Sequence, residues 1–231
     1  MPQNFKIDPK LINMPKTIFR SALNELQPVN FDALQGIIEG YPIVFNQRTT
    51  IGNWFNEEID PHALDDADLS DIKLLVNHDE QLIPLARHRR GKRSTMDISI
   101  DNKGLKIVAN LDIKNNATSQ ALCSAVERGD IEDMSFAFGL VVSGDEWFDL
   151  DKPLPLRRIT KISKVFEVSA VNDGAYPQTS IAARSAALDN EKTALDNARA
   201  LSLDNEKREA DAAEAALRLK KRKFLYVEEH K

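Results

Sequence analysis

Short runs rich in β-branched and aromatic residues recur between residues 37 and 171, and they constrain the fold more than any other feature of the chain. Runs of this composition, bounded by polar and glycine-containing segments, are typical of β-strands. IIEGYPIVF opens the series at Ile37. The further predicted strands cover residues 73–76, 95–100, 105–113, 135–142 and 164–171. The Asn102-Lys103-Gly104 segment between two of these strands predicts a hairpin turn, since Asn and Gly tolerate positive φ.

One predicted helix interrupts this series, over residues 118–128 (TSQALCSAVER). Leu122, Ala125 and Val126 recur at helical spacing, and Gly129 follows at the position where a glycine commonly ends a helix. A chain in which strands outnumber helices favours an α+β fold. We expect a closed β-barrel with helices on its rim.

The two ends of the chain differ from this central part. Residues 1–36 carry scattered prolines and predict an arm with one short helix over residues 17–26. Beyond residue 183 the chain contains no Gly or Pro and is rich in Ala, Leu, Glu, Lys and Arg, which predicts a long helix with a narrow apolar seam. We therefore expect an N-terminal arm (1–36), a barrel domain (37–183) and a helical extension (184–231). The extension would serve as a scaffold-like or addressing segment, and it could join copies of the chain into a homo-oligomer.

Charge and cysteine content exclude several classes of function. The formal net charge of −5 offers no basic footprint for a nucleic acid, and no apolar run approaches the length of a membrane span. Cys123 is the single cysteine, so no internal disulfide can form and a reducing cytoplasm fits best. Because His and Cys show no metal-ligand spacing and glycine-rich phosphate loops are missing, we expect neither a metal nor a cofactor.

The segment DIEDMSFAFG, residues 130–139, contains the best candidate nucleophile. In a strand its side chains alternate between two faces. The bulky residues Met134, Phe136 and Phe138 would point one way, and the small residues Ser135, Ala137 and Gly139 the other. The small face fits either a close-packed neighbour or a substrate peptide beside the Ser135 hydroxyl.

A serine nucleophile needs a base within reach, and histidine is the natural one because its pKa lies near neutrality. Four histidines are available. His230 is terminal, His62 follows a proline, and His88 lies in the basic run RHRRGKR, which leaves His78 at the end of LLVNH. Spacing alone favours the structural interpretation of each residue, with Ser135 as a small spacer on a strand and His78 as a hydrogen-bonded structural group. No GxSxG or HExxH motif decides between these interpretations.

Six ordered blocks between residues 38 and 185 resemble the caudovirus prohead serine proteases. The matching blocks are GYPIVFN, FNEEIDPHAL, LLVNHD, LKIVANLDI, VERGDIEDMSFAF and ITKISKVFEVSAVNDGAYPQTSI. The resemblance implies the β-barrel of the related herpesvirus assembly proteases. It also implies that Ser135 is the nucleophile and His78 the general base.

The third catalytic residue stays open between two candidates. The EVS block places an acidic orienting residue at Glu167, whereas herpesvirus relatives use a second histidine, for which His88 would be the counterpart. Arg157 and Arg158 are candidates for stabilising the oxyanion, by analogy with the family.

The resemblance implies a capsid maturation protease inside the viral procapsid in the host cytoplasm. Its partners would be the major capsid protein and the scaffold, which it would cleave along with itself. One alternative is a catalytically inactive or scaffold-fused assembly protein, and another is a hydrolase acting on a small ester.

Overall fold

The computed structural model describes residues 17–22, 26–28, 36–172 and 181–228. The strands are β1 (Thr17–Ala22), β2 (Leu26–Pro28), β3 (Ile37–Val44), β4 (Thr49–Ile51), β5 (Phe55–Ile59), β6 (Asp71–Val76), β7 (Ala86–Arg89), β8 (Met96–Ile100), β9 (Gly104–Asn110), β10 (Asp133–Leu140), β11 (Asp145–Phe148), β12 (Leu156–Ile159) and β13 (Ile162–Val171). The helices are α1 (Ala117–Glu127) and α2 (Ile181–Glu228). The α+β class is confirmed.

These strands form three sheets, with orders β1-β10-β13-β6-β7, β11-β12-β5-β4 and β2-β3-β9-β8. Each order has two ends, so the described strands do not close into the barrel that the sequence analysis expected. Thr95, just before β8, donates to Arg87 O of β7 at 3.0 Å, where the first and third sheets approach each other. A contact of this kind joins two sheets without the continuous ladder that a closed barrel requires.

Apolar side chains from all three sheets and from α1 share one core. Its fully buried members include Ile38, Ile43, Ile72, Leu74, Leu105, Ile107, Phe138, Val165 and Val168. The Phe136 and Phe138 rings stack with centroids 5.0 Å apart. The bulky face of β10 is therefore a core face, as its alternation predicted.

All six predicted strands are confirmed, as β3, β6, β8, β9, β10 and β13, together with the hairpin between β8 and β9 and the helix predicted over residues 118–128, which is α1. Asn116 caps α1, since its side chain accepts from the N–H groups of Thr118 and Ser119. Gly129 follows with φ of 72°, a conformation that glycine adopts without strain. β2, β4, β5, β7, β11 and β12 were not predicted from the sequence.

The helix expected over residues 17–26 is wrong, because residues 17–22 form a strand. β1 pairs antiparallel with β10, in a register that places Ser21 opposite Ser135 and Thr17 opposite Gly139. A weak local preference gives way here to backbone pairing with the edge of β10. Most of the remaining N-terminal arm lies outside the described residues.

The long C-terminal helix is confirmed as α2, although it begins at Ile181. Leu195 is buried, and Arg199 donates to the carbonyl oxygens of Leu150 and Lys152 at 3.3 and 3.4 Å. From residue 203 to residue 218 the side chains are exposed. In the described ranges, no helix combines the length and apolarity needed to cross a membrane.

Candidate active site

His78 lies just beyond the end of β6, in an unusual backbone conformation. Asn77 and His78 both have positive φ, 51° and 59°. Residues other than glycine rarely adopt this left-handed backbone conformation. Where they do, the conformation is often found at a functional site. Two contacts to the end of the neighbouring strand β13 hold the turn: Asn77 N–H donates to Ala170 O at 2.9 Å, and the N–H of Asn172, just after β13, donates to Asn77 Oδ1 at 3.1 Å. The turn directs the imidazole back over the sheet.

The structure brings Ser135, His78 and Glu167 together. His78 Nε2 lies 2.6 Å from Ser135 Oγ, and His78 Nδ1 lies 2.6 Å from Glu167 Oε1. The side chains of His78 and Glu167 are only 5% and 1% exposed, and Ser135 has no exposed surface. This is the Ser–base–acid arrangement that activates a hydroxyl.

Strand register explains how residues so distant in sequence meet. β10 and β13 are antiparallel, with Ser135 opposite Ser169 and Ala137 opposite Glu167. β13 and β6 are parallel, with Ala170 opposite Val76, so the turn carrying His78 starts beside the end of the β13–β10 pair where Met134 lies opposite Ala170, next to Ser135. Three adjacent strands of one sheet thus supply the three side chains.

Ser169 is a fourth member of this cluster that the sequence analysis missed. Its hydroxyl donates to Glu167 Oε2 at 2.6 Å and accepts from the backbone N–H of His78 at 3.2 Å. The residue is fully buried. The available signal was the spacing Glu-x-Ser on a strand, which places both side chains on the same face.

The hydrogen-bonding capacities define the proton arrangement. An ionised carboxylate only accepts, so Nδ1 of His78 carries a proton toward Glu167. In a neutral imidazole Nε2 is then an acceptor, facing the Ser135 hydroxyl. This assignment follows from the hydrogen-bond network. The cluster can therefore take the hydroxyl proton when Ser135 attacks an electrophile.

The Ser135 hydroxyl also contacts the backbone of β1. Its Oγ lies 2.8 Å from the carbonyl oxygen of Arg20. A serine hydroxyl has one proton to donate. It therefore cannot donate to Arg20 O and to His78 Nε2 at the same time.

The other predicted site residues lie in different surroundings. His88, on β7, has its Nδ1 3.3 Å from Met96 O, and exposed His62 has its Nδ1 3.1 Å from Asp65 Oδ2. Arg157 and Arg158 lie on β12 of the second sheet. Their guanidinium groups bind carboxylates: Arg157 binds Glu57 and Asp145, and Arg158 binds Glu58.

A second buried polar cluster joins β1 to the second sheet. Glu57 on β5 is nearly fully buried and is paired with both Arg20 and Arg157, through Arg20 Nη2 at 2.8 Å and Arg157 Nη1 at 3.2 Å. Burial alone would raise the pKa of Glu57, but the charges and hydrogen bonds of Arg20, followed by those of Arg157, outweigh it and hold the pKa below its usual range. Glu57 is therefore an ionised anchor for both arginines.

The described residues contain no group of three or more His, Cys, Asp or Glu side chains arranged to hold a metal ion. Cys123 is buried in α1, which raises the pKa of its thiol and makes it a poor nucleophile. Within these residues, the Ser135 cluster is the arrangement suited to nucleophilic chemistry.

Comparison with models of known protein families matches residues 24–194 to the caudovirus prohead serine proteases. Comparisons with curated proteins and with solved structures return no match. The family match covers most of the 231 residues and contains His78, Ser135 and Glu167. The chain therefore belongs to the caudovirus prohead serine protease family.

Proposed function

We propose that the protein is a capsid maturation endopeptidase with Ser135 as nucleophile, His78 as general base and Glu167 as the residue that orients the base. The observation that supports this most directly is the hydrogen-bonded chain Glu167–His78–Ser135, with both contacts at 2.6 Å. Family membership supports the broader function, a protease of the phage procapsid inside the host cell. It would cleave the scaffold or extensions of the coat protein, and it would also cleave itself.

The proposed reaction proceeds in two stages. Ser135 Oγ attacks the carbonyl carbon of the scissile peptide bond while its proton passes to His78 Nε2. His78 then protonates the leaving amine as the C–N bond breaks, which leaves an acyl ester on Ser135. Water attacks this ester with its proton passing to His78; the C–Oγ bond then breaks, His78 returns the proton to Ser135 Oγ, and the acid product departs. Glu167 keeps Nδ1 protonated and stabilises the imidazolium that forms at each stage.

Glu167 is favoured over His88 as the third member, because Glu167 accepts from the ring nitrogen opposite the one that faces Ser135. Ser169 supports Glu167 from behind and also anchors the His78 backbone. Arg157 and Arg158 remain predictions as oxyanion donors. Each would have to serve the oxyanion in addition to the carboxylates that it already binds.

The likeness to the herpesvirus protease barrel also remains a prediction, as do the domain limits and a homo-oligomer through α2. We propose that the part of α2 beyond Arg199 addresses the protein to the procapsid, since its side chains are exposed from residue 203 to residue 218. A chain ending at Leu201 should keep the buried Leu195 and the Arg199 contacts, cleave peptides and fail to be packaged. Loss of peptidase activity in this truncation would show that the distal helix belongs to the folded domain.

The test of the proposed function is co-expression with the phage coat and scaffold proteins, followed by mass spectrometry of their new termini. The wild-type chain should produce defined cleavages, and a fluorophosphonate should label it at Ser135. Ser135→Ala should abolish both while melting like the wild type. Ser99→Ala, at an exposed serine, is the matched control and should behave as the wild type does.

The alternative function is a catalytically inactive assembly protein. The observation that favours it is the complete burial of Ser135 against Arg20. An inactive protein would show no labelling at Ser135 and no cleavage that depends on this residue.

A further inference from the structure

The Ser135 hydroxyl is covered by the protein's own chain. Ser135 has no exposed surface, and its Oγ lies 2.8 Å from Arg20 O on β1. An attacking oxygen must come to about 3–3.5 Å from the carbonyl carbon of a substrate peptide. Since Ser135 has no exposed surface, a substrate peptide cannot reach its hydroxyl in this conformation. A segment next to Ser135 must move before a substrate can react.

Strand order indicates which segment can move. In the described residues Ser135 lies on β10, between β1 and β13. β13 carries Glu167 and Ser169 and pairs on its other side with β6, so its departure would dismantle the cluster. β1 lies at one edge of this sheet as far as the described strands show. It can leave without breaking any other strand pair described for the sheet.

β1 pairs with β10 as a bound peptide would. Its six residues run antiparallel to β10 from Thr17 opposite Gly139 to Ala22 opposite Met134. Adding an extended peptide to a sheet edge in this way is a common mode of peptide recognition. Moreover, the family match begins at residue 24, after β1, so this strand lies outside the matched segment.

The carbonyl oxygen of Arg20 also competes with His78 Nε2 for the hydroxyl proton of Ser135. While the Ser135 proton is donated to Arg20 O, it is not donated to His78 Nε2. The carbonyl of Arg20 faces the hydroxyl with its oxygen, as a hydrogen-bond acceptor. Nucleophilic attack would require the hydroxyl oxygen to face the carbonyl carbon. The contact is therefore that of a segment that blocks the site and not that of a substrate under attack.

An ion pair fastens β1 in place and can be released without leaving a bare charge. Arg20 is only 11% exposed and pairs with buried Glu57. When Arg20 leaves, Arg157 still pairs with Glu57 through Nη1 at 3.2 Å. Release therefore avoids the large cost of an uncompensated buried carboxylate.

We propose that β1 is an internal competitor of the substrate. It occupies the position on β10 at which an extended substrate peptide would add as an antiparallel strand, and Ser135 reacts only after β1 has left. This inference rests on the proposed function of Ser135, and it identifies the binding site for the peptide and the segment that regulates access to it.

The test uses the full chain with β1 fastened by a reducible bond. Phe19 and Ala137 are paired across the two strands, and opposed residues of an antiparallel pair lie at a separation that a disulfide can bridge. The readout is the rate at which a fluorophosphonate labels Ser135. In the Phe19→Cys, Ala137→Cys variant, oxidation should lower this rate by about tenfold or more and reduction should restore it, because the competent fraction falls. Phe19→Cys alone and Ala137→Cys alone are the controls; each adds one cysteine to the buried native Cys123 and should not respond to oxidation.

A second full-chain variant loosens β1 instead. Arg20→Glu places a carboxylate against Glu57 and should raise the labelling rate several-fold. Arg48→Glu is its matched control, because Arg48 pairs with Glu58, the next residue on the same strand, but is 56% exposed. The control should label at the wild-type rate.

The outcomes separate the two proposals. Equal labelling of the oxidised and reduced double-cysteine variant would overturn the internal competitor and leave Ser135 as the nucleophile. If the disulfide does not form, equal labelling of Arg20→Glu and Arg48→Glu decides against it in the same way. Absence of Ser135 labelling in every form would overturn the proposed function, and the inference with it.

Discussion

Two buried polar clusters among the described residues differ in how their hydrogen-bonding groups are satisfied. In the Ser135–His78–Glu167–Ser169 cluster, the groups form a line with the Ser169 hydroxyl at one end and the Ser135 hydroxyl at the other. In the cluster around Glu57, the carboxylate lies between two arginines, and Arg157 binds a second carboxylate, Asp145.

The Ser135 cluster can therefore transfer a proton, whereas the Glu57 cluster is a set of ion pairs. Buried charges are tolerated when opposite charges and hydrogen bonds surround them, as at Glu57. A histidine between a carboxylate and a hydroxyl instead has one ring nitrogen that can gain a proton and lose it again. We therefore expect damage to the first cluster to remove activity, and damage to the second to remove stability.

The largest expected effect is the loss of activity when His78 is replaced. His78→Ala should lower kcat/KM by about 10⁵–10⁶-fold, and the His78→Ala, Ser135→Ala double variant should be no worse, because members of a catalytic unit act together and their losses do not add. Peptide cleavage by the four proteins of this cycle gives the measurement. A double variant far slower than either single one would contradict a shared mechanism.

Replacing Glu167 should have the next largest effect. Glu167→Gln keeps the shape but removes the charge that stabilises the imidazolium, so kcat should fall by up to about 10⁴-fold. The loss should be smaller than that of Ser135→Ala. His88→Ala is the comparison variant and should retain activity. Full activity of Glu167→Gln together with a dead His88→Ala would make His88 the third member.

Substitutions in the Glu57 cluster should lower the free energy of unfolding. Glu57→Gln leaves two arginines with a weakened partner and should lower the free energy of unfolding by about 3 kcal/mol, as measured by urea denaturation at pH 7. Glu58→Gln, on the neighbouring residue, should cost less, because its partners Arg48 and Arg158 are 56% and 38% exposed.

The contribution of Glu57 should also depend on pH. Folding lowers the pKa of Glu57, so the carboxylate stabilises the native state fully above its ordinary value of about 4.3, and this stabilisation is lost as the pH falls through the lowered native value. The difference between wild type and Glu57→Gln should therefore shrink below about pH 4. A difference that is constant down to pH 2 would contradict this account.

The smallest effect that we predict is at Ser169, which touches the catalytic groups but no substrate. Ser169→Ala removes a hydrogen bond to an ionised carboxylate, a loss of roughly 10–100-fold if it falls on the transition state. As a positioning residue, Ser169 should change kcat and leave KM unaltered, and Ser169→Thr should rescue much of the activity. A rise in KM with unchanged kcat would contradict this account, because it would mean that Ser169 contributes to substrate binding.

The sequence by itself determined much of the apolar framework. Strands such as β3, β6, β10 and β13 show their alternation or apolar runs openly, and α1 carries its own cap residue and terminal glycine. These signals are local, because periodicity depends on neighbouring residues only. The candidates Ser135 and His78 also followed from the sequence, since few histidines were available and the family blocks surround both residues.

Strands with charged sequences could not be predicted without knowledge of the strands that they pair with. LRRI of β12 and FNEEI of β5 do not read as buried strands. In the structure they are parallel neighbours with Arg157 opposite Glu57 and Arg158 opposite Glu58. The arginine charges of β12 therefore neutralise the glutamate charges of β5. Such pairing joins residues about a hundred positions apart, and no local pattern encodes it.

Only the tertiary structure decided which acid faces His78, what supports that acid, and what covers the serine. Glu167 lies 89 residues from His78, and the link between them depends on the register of three strands. The turn at Asn77–His78 and the Ser169 bridge arise only once β6 and β13 are paired. Likewise β1 became a strand because the edge of β10 offered it backbone partners, which is a long-range effect that overrides local preference.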